Sequence, residues 1–271
     1  MDYKKKIDKG VLFIATGQKY IDEAIPAAKS CKATNNYPIA LITDSLNYQL
    51  PQGIFDQVIL KEAKYSYIDK LLIKYSPFEQ TIFLDTDTYV CDKLDDLFRI
   101  LDFREFAIHQ ADEGYEFEME DVSNAMPEFN TGVIAFKLTS NVKKLIDDWR
   151  LAFDTNTKIK TDQYHLRKTL YESEVKFAIF SSAYNFIIYY PNFIIQKVKV
   201  VHGRPFELLP KIAADLNNIR HSEAWRRMYH PYNNNFSIVY QNMKNTDLAK
   251  MLKFTLRSLI ANILRPLKRK K

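Results

Sequence analysis

Glycine is scarce, with six in 271 residues. Neither G-x-G-x-x-G nor G-x-x-x-x-G-K-[ST] occurs, so the loops that cradle dinucleotides or nucleoside triphosphates have no counterpart here. Fibrous and linker-rich architectures are excluded on the same ground. Two cysteines, Cys31 and Cys91, stand far apart; they make no zinc pattern and suit a reduced, cytosolic chain. No apolar run approaches the roughly 18 residues a membrane helix needs. MDYKKKIDKG has no apolar core behind its lysines, and GVLFIATG is too short for a signal peptide, so a cytoplasmic location is the expectation. The body also lacks positive charge. Segment 244–271 holds nine Lys or Arg against one Asp, a net +8, so the other 243 residues sum to −2. A phosphate-binding surface needs basic residues on the body, and no nucleic-acid partner is expected.

Apolar and aromatic residues, by contrast, are plentiful: 46% and 14% of the chain, enough for a sizeable core. Strand-like runs alternate with helical patterns, the signature of a mostly parallel sheet flanked by helices. Strands are expected at 11–16, 37–43, 55–60, 81–85, 104–110, 129–137 and 197–203, and helices at 20–35, 65–76, 141–153 and 162–171. Residues 111–128 form a long acidic connection, of a length that is often functional. Residues 204–243, rich in aromatic, Asn and Arg residues, are expected to hold a small helical addition.

The stretch TIFLDTDTYV poses the central question. An apolar strand ends in Asp85 and Asp87, one residue apart. In an open parallel sheet, ligands bind beyond the carboxyl ends of the strands. Paired carboxylates there suit Mg²⁺ or Mn²⁺, which bridge to phosphate oxygens. The same string also fits a dehalogenase-type phosphatase, with Asp85 as phosphoryl acceptor and Asp87 as acid/base. Against that stand three preceding strands and a later acidic pair, Asp147–Asp148, set within an amphipathic helical pattern. A non-catalytic sugar-nucleotide-binding protein is the third class.

Further elements bear on the choice. FIATGQKYIDEAI, IDKLLIKYSPFEQTIFLDTDTYVCDKLDDLF, EFNTGVIAFK, TDQYHL, AYNF and KVVHG follow one another in order. Together they resemble the glycogenin-like retaining glycosyltransferases of family eight, which have the GT-A nucleotide-sugar-binding fold. The resemblance spans about residues 10–205. It implies a catalytic domain over 1–205, with 206–243 as a small helical, acceptor-side addition and 244–271 as a C-terminal helix. On matching positions it implies Asp85, Asp87 and His202 as metal ligands, for Mn²⁺ or Mg²⁺. Thr16 and Tyr20 would hold the base and ribose of a UDP-sugar donor. Asp85 would also touch the ribose, and Lys70 the diphosphate or sugar. Asn130 would bond sugar hydroxyls while Gly132 allows close backbone approach. Asp162 and Gln163 would sit near the anomeric carbon, as the catalytic pair. Where the family has H-x-x-G-x-x-K-P, this chain reads H-G-R-P, with Gly203 and Arg204 as the diphosphate contacts. The implied reaction is transfer of a hexose to an acceptor hydroxyl with retention, and the implied acceptor is a glycan or lipid-linked sugar.

The segment MKNTDLAKMLKFTLRSLIANILRPLKRKK is separate. Leu248, Leu252, Leu256, Leu259 and Ile263 share one helical face, flanked by Lys250, Lys253 and Arg257. A basic amphipathic helix of this kind is expected on an anionic membrane surface or against a partner.

Overall fold

The computed structural model of the chain describes residues 7–111, 118–156, 158–190, 192–193, 196–218, 228–229 and 256. Fully apolar runs become the central strands. β1 (Ile7–Ile14) is buried from Gly10 to Phe13, β2 (Ile39–Thr43) throughout, β4 (Phe78–Leu84) over most of its length and β7 (Phe129–Lys137) over nearly all of it. With β3 (Gln57–Leu60), β6 (Phe106–Gln110) and β8 (Phe177–Phe180) they form one seven-stranded sheet in the order β3-β2-β1-β4-β7-β6-β8. Every pairing is parallel except those of β7, which runs antiparallel to β4 and β6. Strands buried on both faces read as continuous apolar runs rather than alternating ones, as IALIT and FNTGVIAF do.

Helices cover both faces. On one, α1 (Gln18–Thr34) and α2 (Asp95–Leu101) pack Ile21, Ala24, Ala28, Leu97 and Phe98 against Val11, Phe13 and Ile82. On the other, a 3₁₀ helix (Tyr67–Tyr75), α3 (Ser140–Thr155) and α4 (Asp162–Tyr171) pack Leu71, Leu145, Trp149 and Leu166 against Leu12, Phe83 and Ile134. A small second sheet has the order β5-β11-β9, from β5 (Thr88–Val90), β9 (Phe186–Ile187) and β11 (Val200–His202). It shares a third cluster with α5 (Leu209–Asn217), through Phe186, Val201 and Ile212. The two-residue strands β10 (Asn192–Phe193) and β12 (Met228–Tyr229) pair with each other.

The antiparallel strand matters most for function. Leu84 pairs with Val133, and the Asp85 N–H donates to the Gly132 carbonyl at 2.8 Å. The start of β7 therefore lies at the carboxyl end of β4. Asn130, Thr131 and Gly132 arrive where Asp85 and Asp87 emerge.

The expected α/β, mostly parallel architecture is the one observed. Three differences have physical causes. Residues 67–75 wind as a 3₁₀ helix instead of an α-helix. Their buried residues Ile68, Asp69, Leu71, Leu72 and Ile73 are not confined to one α-helical stripe, so packing sets the winding. β5, β8 and α2 were not foreseen, because runs of three to seven residues carry too little periodicity to read. Residues 206–243, expected to be helical, supply α5 but also β12; most of 219–243 lies outside the described residues. So do 112–117 of the acidic connection and, Leu256 aside, the expected helix over 244–271. Among the described residues no helix is long and apolar enough to cross a membrane.

Burial, aided by the charge of His202, pushes the His109 imidazole on β6 down to about 4, against an unfolded value of about 6.5. The unfolded chain therefore binds a proton there that the folded chain refuses, and stability must fall as pH drops from about 6.5 to 4. Denaturant midpoints measured across that window should decline for the native protein. They should decline less for His109→Gln; equal slopes would mean that His109 is not held neutral.

Candidate functional site

Asp85 and Asp87 occupy the connection between β4 and β5, the last turn before the chain leaves the main sheet. The second sheet supplies their partner. β11 lies antiparallel to β5 with His202 opposite Thr88, which places the imidazole one residue from Asp87. His202 Nε2 lies 3.2 Å from Asp87 Oδ1 and 4.0 Å from Asp85 Oδ2. One ligand atom from each of the three residues falls within 4.8 Å of the others. Two carboxylates and one imidazole form a donor set that fits a divalent cation taking oxygen and nitrogen, Mn²⁺ more readily than Mg²⁺.

A chain of amides fixes the imidazole. The Gly132 N–H can only donate, so the Asn130 atom 3.0 Å from it is Oδ1. That oxygen also accepts from Asn185 Nδ2 at 2.8 Å. Asn185 Oδ1 must then face His202 Nδ1, 3.0 Å away. Nδ1 is thereby the donor, and Nε2 is the nitrogen presented to the carboxylates. Gly132 has to be glycine for a related reason: a Cβ there would stand 2.2 Å from His202 Cε1.

On the other side sits Lys70, carried by the 3₁₀ helix. Its Nζ lies 3.0 Å from Asp85 Oδ2 and 3.4 Å from Asp162 Oδ2. It also donates to Thr131 Oγ1 at 2.8 Å. Thr131 Oγ1 in turn donates to Asp162 Oδ2 at 2.6 Å. Trp149 Nε1 holds the Asp162 carbonyl at 2.8 Å, tying the start of α4 to α3. Gln163 follows, half buried, on the same turn.

The charges are mutually dependent. Burial would pull a proton off Lys70, but Asp162 and Asp85 outweigh it and hold the ammonium firmly protonated. Asp85 is pushed above the usual carboxylate range by burial, with the Asp87 charge adding to it, despite Lys70. Asp87 is also buried, yet His202 and Arg204 hold it well below that range. His202 itself is raised by Asp87 and Asp85 against the effect of burial, so a cation entering here must displace a proton.

The remaining expected residues surround this centre. Gly203 has φ +145, and a Cβ there would meet Ile188 Cγ1 at 2.5 Å. Its N–H donates to the Asp87 carbonyl at 2.9 Å. Arg204 Nη1 reaches Asp87 Oδ2 at 2.8 Å. Thr16, buried at the end of β1, donates to Asp69 Oδ2 at 3.1 Å. Tyr20 stands half exposed on the first turn of α1. Asp85, Asp87, His202, Lys70, Asn130, Asp162, Gly203 and Arg204 are thus brought together, while Thr16 and Tyr20 lie at the β1–α1 corner.

Several residues here escaped the sequence reading. Thr131, Asn185 and Thr86 stand inside motifs that were quoted, without a role of their own. Glu23 and Asp69 likewise stand inside quoted motifs without an assigned role, and Asp44 had no motif to mark it. Asp44 accepts from Gly17 N at 2.9 Å, Tyr48 OH at 3.1 Å and Tyr65 OH at 2.9 Å. Asp69 accepts from Lys64 N at 2.7 Å and Tyr65 N at 2.8 Å. Among the described residues, the acidic pair that a dehalogenase-type phosphatase would need is absent from the centre. Asp147 and Asp148 lie on α3, paired with Lys74 and Lys144 on the solvent side.

No protein-family model matches the sequence, and the search of curated proteins found no match. Solved structures do resemble it. They include the glycosyltransferase GlyE from Streptococcus pneumoniae TIGR4, at 18% identity and TM-score 0.56, over 80% of this chain and 62% of that one. The galactosyltransferase LgtC, solved with donor and acceptor sugar analogues, matches at 15% and 0.56, over 79% and 98%. Mouse xyloside xylosyltransferase 1 matches at 13% and 0.50, over 73% and 98%. At these identities the fold is what is shared, and it is the GT-A fold.

Two substitutions test this geometry. Gly132→Ala should displace the His202 ring, and Asn185→Ala should free it. Each should weaken Mn²⁺ binding by about 10- to 100-fold, the usual cost of disturbing a ligand's support, with circular dichroism unchanged. Native-like Mn²⁺ affinity in both would remove His202 from the metal site. Separately, Lys70→Met leaves the buried Asp162 and half-buried Asp85 carboxylates without their shared cation. It should cost about 3–5 kcal/mol of stability in denaturant unfolding, part of which Asp162→Asn should restore.

Proposed function

We propose that this GT-A chain is a metal-dependent glycosyltransferase, moving a hexose from a UDP-sugar to an acceptor hydroxyl with retention. The observation that carries the reading is the meeting of Asp85, Asp87 and His202 within 4.8 Å at the carboxyl end of β4. That is where open α/β sheets bind ligands. LgtC, of the same fold, is solved with donor and acceptor sugar analogues, which supports a cleft for two substrates.

In this reading Asp85, Asp87 and His202 hold Mn²⁺ or Mg²⁺, which when bound supplies positive charge at a departing diphosphate. Lys70 and Arg204 place two further cations at the same cluster. Both are already fixed by carboxylates, so little reorganisation is needed as negative charge develops. Thr16 and Tyr20, at the β1–α1 corner, take the base and ribose. Asn130, whose Oδ1 is occupied by Gly132 and Asn185, retains its amide protons for sugar hydroxyls.

Asp162 and Gln163 open α4 beside the sugar subsite. The Asp162 carboxylate is engaged by Thr131 and Lys70, which orients it and discourages a role as a free base. The acceptor proton then passes to the leaving diphosphate, consistent with retention and without the carboxylate pair of most glycosidases. Residues 1–205 form the catalytic unit. Residues 206–243 contribute to the acceptor side, and basic segment 244–271 draws the enzyme to anionic lipid, where a lipid-linked or surface-glycan acceptor resides.

Thermal unfolding with UDP, UDP-sugars and Mn²⁺, Mg²⁺ or chelator tests the donor site. A native-state ligand at about 100 times its Kd adds about 2.7 kcal/mol. The melting temperature should rise with UDP only when metal is present, and Asp87→Ala should abolish the rise. Slow release of free sugar from one UDP-sugar should accompany it. Turnover of a generic phosphate ester with no nucleotide response would overturn the reading.

A further inference from the structure

Arg204 does more than face Asp87. Its Nε and Nη2 grip Glu23 of α1 in a two-pronged pair, at 2.9 Å to Oε1 and 2.8 Å to Oε2. Glu23 Oε2 is also held by Thr86 Oγ1 at 2.9 Å, and Thr86 is the residue between the two aspartates. A closed ring results: Asp87, Arg204, Glu23, Thr86 and back along the chain to Asp87. It joins α1, the β4–β5 connection and the segment after β11, three pieces of chain far apart in sequence.

The backbone at Arg204 is held as firmly. Its own N–H donates to the Tyr189 hydroxyl at 2.6 Å, and the N–H of Gly203 is spent on the Asp87 carbonyl. Only the side chain is free to choose partners. Its side chain remains partly exposed, at 44%, whereas the Glu23 side chain is 19% exposed and that of Asp87 7%. A half-exposed ion pair contributes little to stability by itself. The value of this one lies in where it points an arginine.

Without Glu23, the guanidinium would have one carboxylate left to pair with among the described residues, Asp87, and a fork matches a carboxylate best with both prongs. It would then compete with a divalent cation for a proposed metal ligand. With Glu23 in place, two of the fork's nitrogens are occupied elsewhere, and a single Nη1 contact reaches Asp87. Resting on the metal and donor site proposed above, we infer that Glu23 is a positioning residue. It holds Arg204 partly off Asp87, so that the metal can bind, and aims the guanidinium at the donor's diphosphate. The shortened H-G-R-P segment makes this holder necessary, since the cation follows Gly203 immediately and cannot reach the cleft from a longer loop.

The test compares Mn²⁺ alone, followed by paramagnetic resonance of the free ion, with UDP at saturating Mn²⁺, followed by calorimetry. Four proteins are measured: native, Glu23→Gln, Arg204→Ala and the double variant. Glu23→Gln should weaken Mn²⁺ binding by about tenfold, as loss of support around a ligand does, and should weaken UDP binding too. Arg204→Ala should bind Mn²⁺ at least as tightly as the native protein, but UDP more weakly. The double variant should match Arg204→Ala, because Glu23 acts only through the arginine. Thr86→Val, which removes one hydrogen bond to Glu23, should shift Mn²⁺ binding in the same direction by less, and stands in should Glu23→Gln fail to fold. A purely structural pair would lower the melting temperature and leave both affinities unchanged, and that result overturns the inference. So does a Glu23→Gln effect of equal size with and without Arg204. A native protein that binds neither Mn²⁺ nor UDP would overturn the inference together with the transferase reading, whereas native binding unaffected by Glu23→Gln would overturn the inference alone.

Discussion

The buried ammonium of Lys70 is the contact on which the site depends. Asp85 and Asp162 come from different elements, and both sit against this one cation. Removing it would leave both carboxylates without their shared cation. Thr131 completes the arrangement by donating to Asp162 and accepting from Lys70. The strand end, the start of β7 and the first turn of α4 are therefore locked together by charge. The Lys70 cluster and the Asp85–Asp87–His202 cluster are joined, because Asp85 belongs to both.

Topology makes that convergence affordable. Had β7 run parallel to its neighbours, Asn130 and Thr131 would lie at the opposite edge of the sheet. Its reversal places them beside Asp85, through the register of Leu84 with Val133. The small sheet performs the same service for His202, whose strand pairs with β5 directly after Asp87. Glycine is used where backbone or ring approaches too closely for any side chain, at Gly132 against His202 and at Gly203 against Ile188. A chain with only six glycines commits two of them to this centre.

Electrostatically, the centre sets four carboxylates against three basic groups, one short of balance. Asp85, Asp87, Asp162 and Glu23 face Lys70, Arg204 and a His202 that the carboxylates encourage to hold a proton. Such a network is costly to break at any one member, because the remaining charges are left buried without a partner. The neutral amide chain from Gly132 to Asn185 orients the imidazole without adding charge.

Much of this was legible in the residues. Apolar runs such as IALIT and FNTGVIAF announced buried strands, because hydrophobic burial leaves a local, periodic imprint. D-T-D at a strand end and a histidine ending KVKVV could be paired through the order of motifs. The aspartates of α3 could be set aside as a solvated face, as the structure has them. Short elements such as β5 and α2 were not readable, since their stability comes from neighbours and leaves no period of its own. Thr131 and Asn185 were visible letters without visible roles. Glu23 and Asp69 were in the same position, and Asp44 had no local signal at all. Sequence by itself determined the long buried strands and the long amphipathic helices, and it marked the side chains chemically able to hold a metal. Tertiary structure alone decided the antiparallel course of β7, the pairing of β11 with β5, and the grip of Glu23 on Arg204. Those depend on contacts between residues far apart in the chain, where strand direction and distance, rather than local pattern, set the energy.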